Sequence, residues 1–326
     1  MKNISNKIGF AMGTAHAIFS SSDGVLYGIG KNSYGQLGIG DPIEVSTPVR
    51  IELDNVNMYD CAREYSVFVT LDGDVYVSGH HTFLTGSWTE SRTPVKIEEG
   101  CIGCCTNGET LFLLTNTGTV KAAGPNYYYE MGRNEQINRW SIVPVNRATE
   151  IRDIAAGPFG TIFLKTNNTV YSCGYNANGE LGLGNTTTAK VPTLAPIQNV
   201  AQISLYNEHS LFLKADGTVY SSGINEDGRL GIGNTTNVST PTLCSITNVV
   251  DISAGFNHSV FLKADGTVYT CGNNEEGQLG IGTNENANVP TLVPNMTDVK
   301  GIYAGDYFTA FLRDDGLYFA GYVPFG

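Results

Sequence analysis

The chain has 326 residues, 41% of them hydrophobic, with 31 acidic against 19 basic side chains and a formal net charge of −12. That sign, with no run of Lys or Arg to offset it locally, argues against a nucleic-acid partner. No stretch approaches the ~20 apolar residues of a membrane-spanning helix, so membrane insertion is not expected.

At the start of the chain, Lys2 and Lys7 precede an apolar segment, Ile8 to Phe19, in weak imitation of a secretory signal. The repeat described next explains that segment better. The expected location is therefore cytoplasmic, or virion-associated or exported by a non-classical route. From there a tight turn and a short alternating strand recur seven times. The turns are at Gly24, Gly73, Gly118, Asn168, Gly217, Gly266 and Gly316, roughly 45–50 residues apart. Asp precedes the glycine in five of them, at Asp23, Asp72, Asp216, Asp265 and Asp315, which suits the positive φ angles of a hairpin turn. Asn168 meets the same need, because Asn tolerates the left-handed region.

Each turn is flanked by strand-like runs, such as Ser259–Leu262 before it and Thr267–Tyr269 after it. A proline follows in every unit, at Pro48, Pro94, Pro144, Pro192, Pro241, Pro290 and Pro324. Proline has no amide to donate, so these segments are expected to be outer, edge-like strands. No amphipathic helix is visible. A unit of about 47 residues matches one four-stranded blade, which predicts an all-β, seven-bladed β-propeller. Residues 1–326 are read as one propeller domain. The N- and C-terminal segments are expected to join, so that residues 1–15 complete the last unit and Lys7 to Gly13 supplies its missing strand.

The chemistry of the chain points to binding. The seven cysteines lie mostly in apparent strands, and the cluster Cys101, Cys104 and Cys105 lacks the further ligands of a zinc site; neither metal nor cofactor is expected. His16, His209 and His258 share one repeat position that Tyr65, Glu109, Gly160 and Phe308 fill elsewhere, which favours a structural hydrogen bond. The Gly-Gln-Leu-Gly-x-Gly loops, Gly35 to Gly40 and Gly277 to Gly282, have no helix after them to hold a phosphate. No nucleophile–base–acid set can be assembled, so the chain is not read as an enzyme.

The consensus Ala-Gly-x-x-His-Ser-x-Phe-Leu-x-x-Asp-Gly-Thr-Val-Tyr-x-x-Gly, then Asn-x-x-Gly-Gln-Leu-Gly-x-Gly, is clearest in Ala254 to Gly282. It shows again in His209 to Gly233, Gly174 to Gly184 and Gly30 to Gly40. It resembles the regulator of chromosome condensation repeat over essentially the whole chain. The resemblance implies a propeller that serves as a platform for a partner. In functional style the chain is similar to the bacterial propeller-type β-lactamase inhibitor proteins, which hold a protein on one face. The family's exchange factors for a small GTPase carry a wedge insertion and a basic tail that have no counterpart here. Its UV-B photoreceptors depend on clustered tryptophans, whereas this chain has Trp88 and Trp140 alone.

Units two and three lose the consensus Asn-x-x-Gly-Gln-Leu-Gly loop entirely. Unit two has His80, His81, Thr82, Phe83 and Leu84, ending near Trp88; unit three has Tyr127, Tyr128 and Tyr129, then Arg133 and Trp140. Trp, Tyr and Arg are the types enriched at binding hot spots. His80, His81, Phe83, Trp88, Tyr127, Tyr128, Tyr129, Arg133 and Trp140 are therefore the candidate partner-binding residues. The same aromatics would equally serve to pack a divergent loop onto its blade. The expected function is a non-enzymatic module that recognises a protein. The alternatives are a phage-tail or adhesin propeller with a cell-surface or glycan ligand, and a guanine nucleotide exchange factor.

Overall fold

The computed structural model describes residues 9–21, 23–82 and 89–323, which form 27 β-strands and no helix. The strands fall into seven antiparallel up-and-down sheets, so the fold is the expected all-β, seven-bladed propeller. Two compact units make up the chain. One holds residues 9–127 and Glu135–Arg152, the other Tyr128–Asn134 and Asp153–Val323.

In the first of these units, sheet one is β1 (Phe10–Met12), β2 (His16–Ser20), β3 (Leu26–Gly30) and β4 (Val45–Arg50). Sheet two is β5 (Val56–Cys61), β6 (Tyr65–Thr70), β7 (Val75–His80) and β8 (Glu90–Glu98). Sheet three is β9 (Cys101–Thr106), β10 (Leu111–Thr115), β11 (Val120–Gly124) and β12 (Arg139–Pro144). The second unit continues with β13 (Ile151–Gly157), β14 (Gly160–Lys165), β15 (Val170–Gly174) and β16 (Ala189–Leu194) in sheet four. Sheet five is β17 (Val200–Tyr206), β18 (His209–Lys214), β19 (Val219–Gly223) and β20 (Val238–Leu243). Sheet six is β21 (Val249–Ala254), β22 (His258–Lys263), β23 (Val268–Gly272) and β24 (Ala287–Leu292). Sheet seven has β25 (Gly301–Ala304), β26 (Phe308–Arg313) and β27 (Gly316–Gly321).

Packing follows from this arrangement. Within each unit neighbouring sheets are buried against one another, so the apolar clusters lie between sheets. Ile162, Leu164 and Val170 of sheet four meet Val200, Ile203, Leu205 and Phe212 of sheet five, and Leu211, Leu213 and Val219 meet Ile252 and Phe261 of sheet six. Phe163, Phe212, Phe261 and Phe311 are fully buried on the second strand of successive sheets. The prolines fall where their missing amide predicts: Pro48, Pro94, Pro144, Pro192, Pro241 and Pro290 all lie in the outermost strand of their sheet; Pro324 is outside the described residues.

The N-terminal strand departs from expectation. β1 pairs with β2, Phe10 opposite Phe19 and Met12 opposite Ala17, so it belongs to the first sheet and not to the last repeat. The reason is locality: a hairpin of three residues brings β1 to β2, and sheet seven already has its own first strand in β25. Lys7 lies outside the described residues.

Candidate functional site

The strand order gives each sheet two unlike ends. At one end sit the Asp-Gly turns between its second and third strands. At the other end emerge the turn between the first and second strands and the long loop between the third and fourth. Within the second unit these ends differ in chemistry.

At the Asp-Gly end the charges are occupied. Asp216 and Asp265 accept hydrogen bonds from the amide and hydroxyl of Thr218 and Thr267, which holds both carboxyls below their ordinary range. Lys165, Lys214 and Lys263 lie over the rings of Tyr171, Tyr220 and Tyr269 at 5.4, 4.5 and 4.6 Å. At the turn-and-loop end, aromatic residues stand on the turns themselves. Tyr128, from the loop after β11, meets Phe159 and Tyr175 edge-on, at centroid distances of 5.0 and 5.9 Å. Tyr206, Phe256 and Tyr307 form a second chain of rings, 6.4 and 6.2 Å apart. Carboxylates are interleaved with them: Glu208, Glu226, Glu275, Glu276 and Asp306. Glu208 accepts a hydrogen bond from Asn178 Nδ2 at 3.0 Å, which joins the loop of sheet four to the turn of sheet five. A surface depression of 510 Å³ lined by Glu226, Asp227 and Glu285 continues the acidic surface.

The loops that carry these groups are braced from within. In sheet four Asn176 Oδ1 accepts the Leu181 amide at 3.0 Å and its Nδ2 donates to the Asn185 carbonyl at 2.9 Å. Asn225 and Asn274 repeat that brace. Glu180 Oε2 accepts the amide of Asn178 at 3.0 Å, while Oε1 is buried with no hydrogen-bond partner. Burial, with Glu208 nearby, pushes the Glu180 carboxyl up to about 7.

The residues singled out from the sequence fare differently. Phe83 and Trp88 lie outside the described residues. His80 ends β7, with Nδ1 3.0 Å from Glu64 Oε2, Nε2 2.6 Å from Thr82 Oγ1 and its ring 5.6 Å from Tyr34. His81 is buried, its Nδ1 bonded to the Gly79 carbonyl at 2.9 Å and its amide to Thr89. Those bonds fold its ring back onto the end of β7.

Unit three has not lost the consensus loop. Asn126, Glu130, Met131 and Gly132 take the places of Asn176, Glu180, Leu181 and Gly182, with the same turn pattern. Asn126 Nδ2 donates to the Glu135 carbonyl and Glu130 Oε2 accepts the Tyr128 amide at 2.7 Å. Tyr129 occupies the glycine position at φ 65°, its ring covered by Lys190 at 5.3 Å. Tyr127 and Tyr128 are thus exposed residues of a regular loop, with Arg133 half-exposed beyond them. Trp140 is on the outer strand β12 and 43% exposed, not on a loop.

Sequence reasoning missed Phe159, Tyr206, Phe256 and Tyr307. Phe159, Phe256 and Tyr307 occupy the two variable positions between the glycine and the histidine of the consensus, which a repeat pattern treats as free, and Tyr206 replaces that glycine itself.

The structure thus defines a β-propeller with an aromatic, acidic surface on the turns and loops of its second unit. Residues 89–324 match the family profile of the RCC1-like domain, and residues 23–69 match the Regulator of chromosome condensation (RCC1) repeat; the chain belongs to the RCC1-like propeller family. It is 27% identical over 196 residues to the Ultraviolet-B receptor UVR8 of Arabidopsis thaliana, covering 56% of this chain and 44% of the receptor. It is 28% identical over 218 residues to the human E3 ubiquitin-protein ligase HERC2, covering 62% of this chain and 4% of the ligase. The chain spans less than half the length of these curated relatives. Among solved structures, Prp20p from Saccharomyces cerevisiae superposes with a TM-score of 0.81 at 22% identity, over 96% of this chain and 82% of that one. Human WBSCR16 gives 0.81 at 20%, over 95% and 88%. At these identities the likeness is one of fold.

Proposed function

We propose that this chain is a non-enzymatic binding module that holds a protein partner at the turn-and-loop end of its second unit. The observation that carries the reading is the asymmetry between the two ends. At one, lysines are stacked on tyrosines and aspartates are tied into turns; at the other, Tyr128 is exposed, Phe159 and Tyr175 are half-buried, and the turns and loops of the following sheets carry Glu208, Glu226, Glu275, Glu276 and Asp306. Exposed aromatics beside a surplus of carboxylates are the composition of a protein-recognition surface, and the acidic surplus selects a basic partner surface. The work recording the Prp20p structure also describes its binding to Gsp1p and histones, which supports a protein as the ligand class. What this reading keeps of the inhibitor-like style is the use of one end of a rigid propeller to grip a protein.

The test is site-specific photo-crosslinking in the native host. A crosslinker at position 159 is expected to trap a protein partner, and one at position 214, at the Asp-Gly end, is not. Crosslinks from position 214 alone would place the binding surface at the wrong end.

A further inference from the structure

One place on this surface has a more specific chemistry. Asp306 lies in the turn between β25 and β26, and its carboxylate accepts a hydrogen bond from the hydroxyl of Tyr206, which belongs to sheet five. The bond therefore reaches past the intervening sheet six. Phe256, from the β21–β22 turn of sheet six, fills the space between, its ring 6.4 Å from Tyr206 and 6.2 Å from Tyr307. Tyr307 is 48% exposed and Asp306 half-buried, so the cluster is open to solvent. Beneath it Tyr303 is buried and stacked on Phe308 at 5.9 Å.

The groups that act on Tyr206 are of one kind, and the cation at the edge of the cluster, the Arg229 guanidinium that donates to the Phe256 carbonyl at 3.3 Å, is already paired with Asp227 at 2.6 Å. Burial drives the Tyr206 phenol well above its ordinary range, and the neighbours that reinforce this are Asp306, Tyr303 and Tyr307, all neutral or anionic. An anionic ligand would meet the Asp306 carboxylate, and a purely apolar one would strip water from that carboxylate without replacing it. A cation meets a carboxylate already oriented by Tyr206 and aromatic rings whose quadrupoles favour positive charge. The approach is favourable from further out as well, because Glu208, Glu226, Glu275 and Glu276 share this end of the unit.

We infer that Asp306, with Tyr206, Phe256 and Tyr307, forms a receptor for a single arginine or lysine side chain presented by a protein partner. This deepens the binding-module reading above and rests on it. Tyr206 positions the carboxylate, Asp306 supplies the charge, and Phe256 and Tyr307 supply the aromatic walls. The rest of the partner would lie across the outer acidic residues, where contacts are solvated and salt-sensitive.

The probes are the capped peptides acetyl-Gly-Arg-Gly-amide, acetyl-Gly-Lys-Gly-amide and acetyl-Gly-Glu-Gly-amide, titrated into the whole chain and followed by aromatic NMR signals. The Arg and Lys peptides are expected to shift Tyr307 and Phe256, and the Glu peptide to leave them in place. Asp306→Asn is expected to weaken that binding by about tenfold, Tyr206→Phe by no more than about threefold, and the Glu275→Gln/Glu276→Gln double variant by less than about twofold. If Asp306→Asn does not fold, Tyr307→Ala removes only a solvent-facing ring and is expected to show the same loss. Basic peptides that leave Tyr307 and Phe256 unmoved, or a loss as large from the Glu275/Glu276 double variant as from Asp306→Asn, would overturn the inference. The two readings fail separately: a partner still crosslinked through position 159 while the peptides do not bind would remove the receptor and leave the module.

Discussion

His258 places Nε2 2.9 Å from Thr309 Oγ1 in the next sheet, and Thr309 Oγ1 donates in turn to the carbonyl of Gln278 at 2.7 Å. Because the threonine proton is committed to that carbonyl, the histidine must donate, which fixes its Nε2–H tautomer. His209, Ser259 and Arg229 repeat the relay at 3.0 and 2.7 Å, and His16, Ser66 and Gln36 repeat it at 2.9 and 2.7 Å. Each relay ties one sheet to the next and to the loop of its own sheet. In sheet two Tyr65 takes over with a 2.6 Å bond to Thr106 Oγ1, since Leu111 stands where the others have a hydroxyl.

The histidines make stability depend on pH. Burial, with Lys31 and Arg229 nearby, lowers His16 and His258 from 6.5 to about 3, and lowers His209 well below its ordinary range. Their folded values lie below the unfolded one, so the unfolded chain binds protons first. Their contribution is complete above pH 6.5 and is lost as pH falls from there toward 3. Chemical denaturation at pH 7.5 and 4.5 is expected to differ by about 2 kcal/mol for each histidine. His258→Gln should be less stable at pH 7.5 and should show a shallower acid slope. An unchanged slope would mean that the ring is not buried neutral.

Glu180 works in the opposite direction. Its carboxyl is raised from 4.5 to about 7, so the folded state holds a proton that the unfolded chain releases earlier. Stability from this group is full below pH 4.5 and is lost as pH rises through 7. Gln36 and Gln278 fill the equivalent position in sheets one and six. Glu180→Gln is therefore expected to stabilise the fold by about 2 kcal/mol at pH 8 and to do little at pH 4.5. Equal effects at both values would locate its role outside titration.

The fold was legible in the sequence because it depends on a few residues whose conformations have few substitutes. The Asp-Gly turns and the outer-strand prolines fix sheet number and order with no reference to the rest of the chain. The third loop was hidden because Tyr129, Glu130 and Met131 replace Gly, Gln and Leu together, although Asn126 and Gly132 keep its backbone. Unit three also reads one residue out of step. Thr110, not Glu109, takes the histidine position, as the pairing of Leu111 with Ala123 shows. The pairing of β1 was not legible because the pattern marks a strand without marking its neighbour. Phe159, Tyr206, Phe256 and Tyr307 escaped for a different reason. The repeat specifies the residues that every sheet needs, and these are not among them, although Tyr206 packs against the core between sheets five and six and bonds to Asp306; only a surface on which they converge gives them meaning.

Loop three also sets a test of backbone strain. At the position of Tyr129 the other loops carry glycine, as at Gly179, with φ 81°. A Cβ on Gly179 would stand 2.3 Å from Ser239 Cα, a backbone atom that cannot give way. Gly179→Ala is therefore expected to cost roughly 3 kcal/mol or more. Tyr129→Gly relieves a strained φ but removes the Lys190 contact and adds chain entropy, so it is expected to change stability by less than about 1 kcal/mol. The check is the denaturation midpoint of each variant. If Gly179→Ala proves as mild as Tyr129→Gly, the loop is not pressed against β20 as described.

The last prediction separates the two candidate surfaces. Phe159 and Tyr175 are half-buried with Tyr128 across their edges, while Trp140 stands 43% exposed on β12 and Tyr127 53% exposed nearby in sequence. Anchors of a hot spot are aromatic groups already held in place by neighbours, because little side-chain entropy remains to be lost on binding. The Tyr128–Phe159–Tyr175 cluster has that support. Phe159→Ala is therefore expected to weaken binding of the crosslinked partner by about 2 kcal/mol, with a modest fall in melting temperature. Trp140→Ala is expected to leave both within about 0.5 kcal/mol, since an isolated ring on an outer strand contributes little beyond its own area. Isothermal titration of both variants against that partner, with melting curves recorded alongside, gives the answer. A loss confined to Trp140→Ala would move the contact surface to the first unit, where Tyr127 would be the next residue to change.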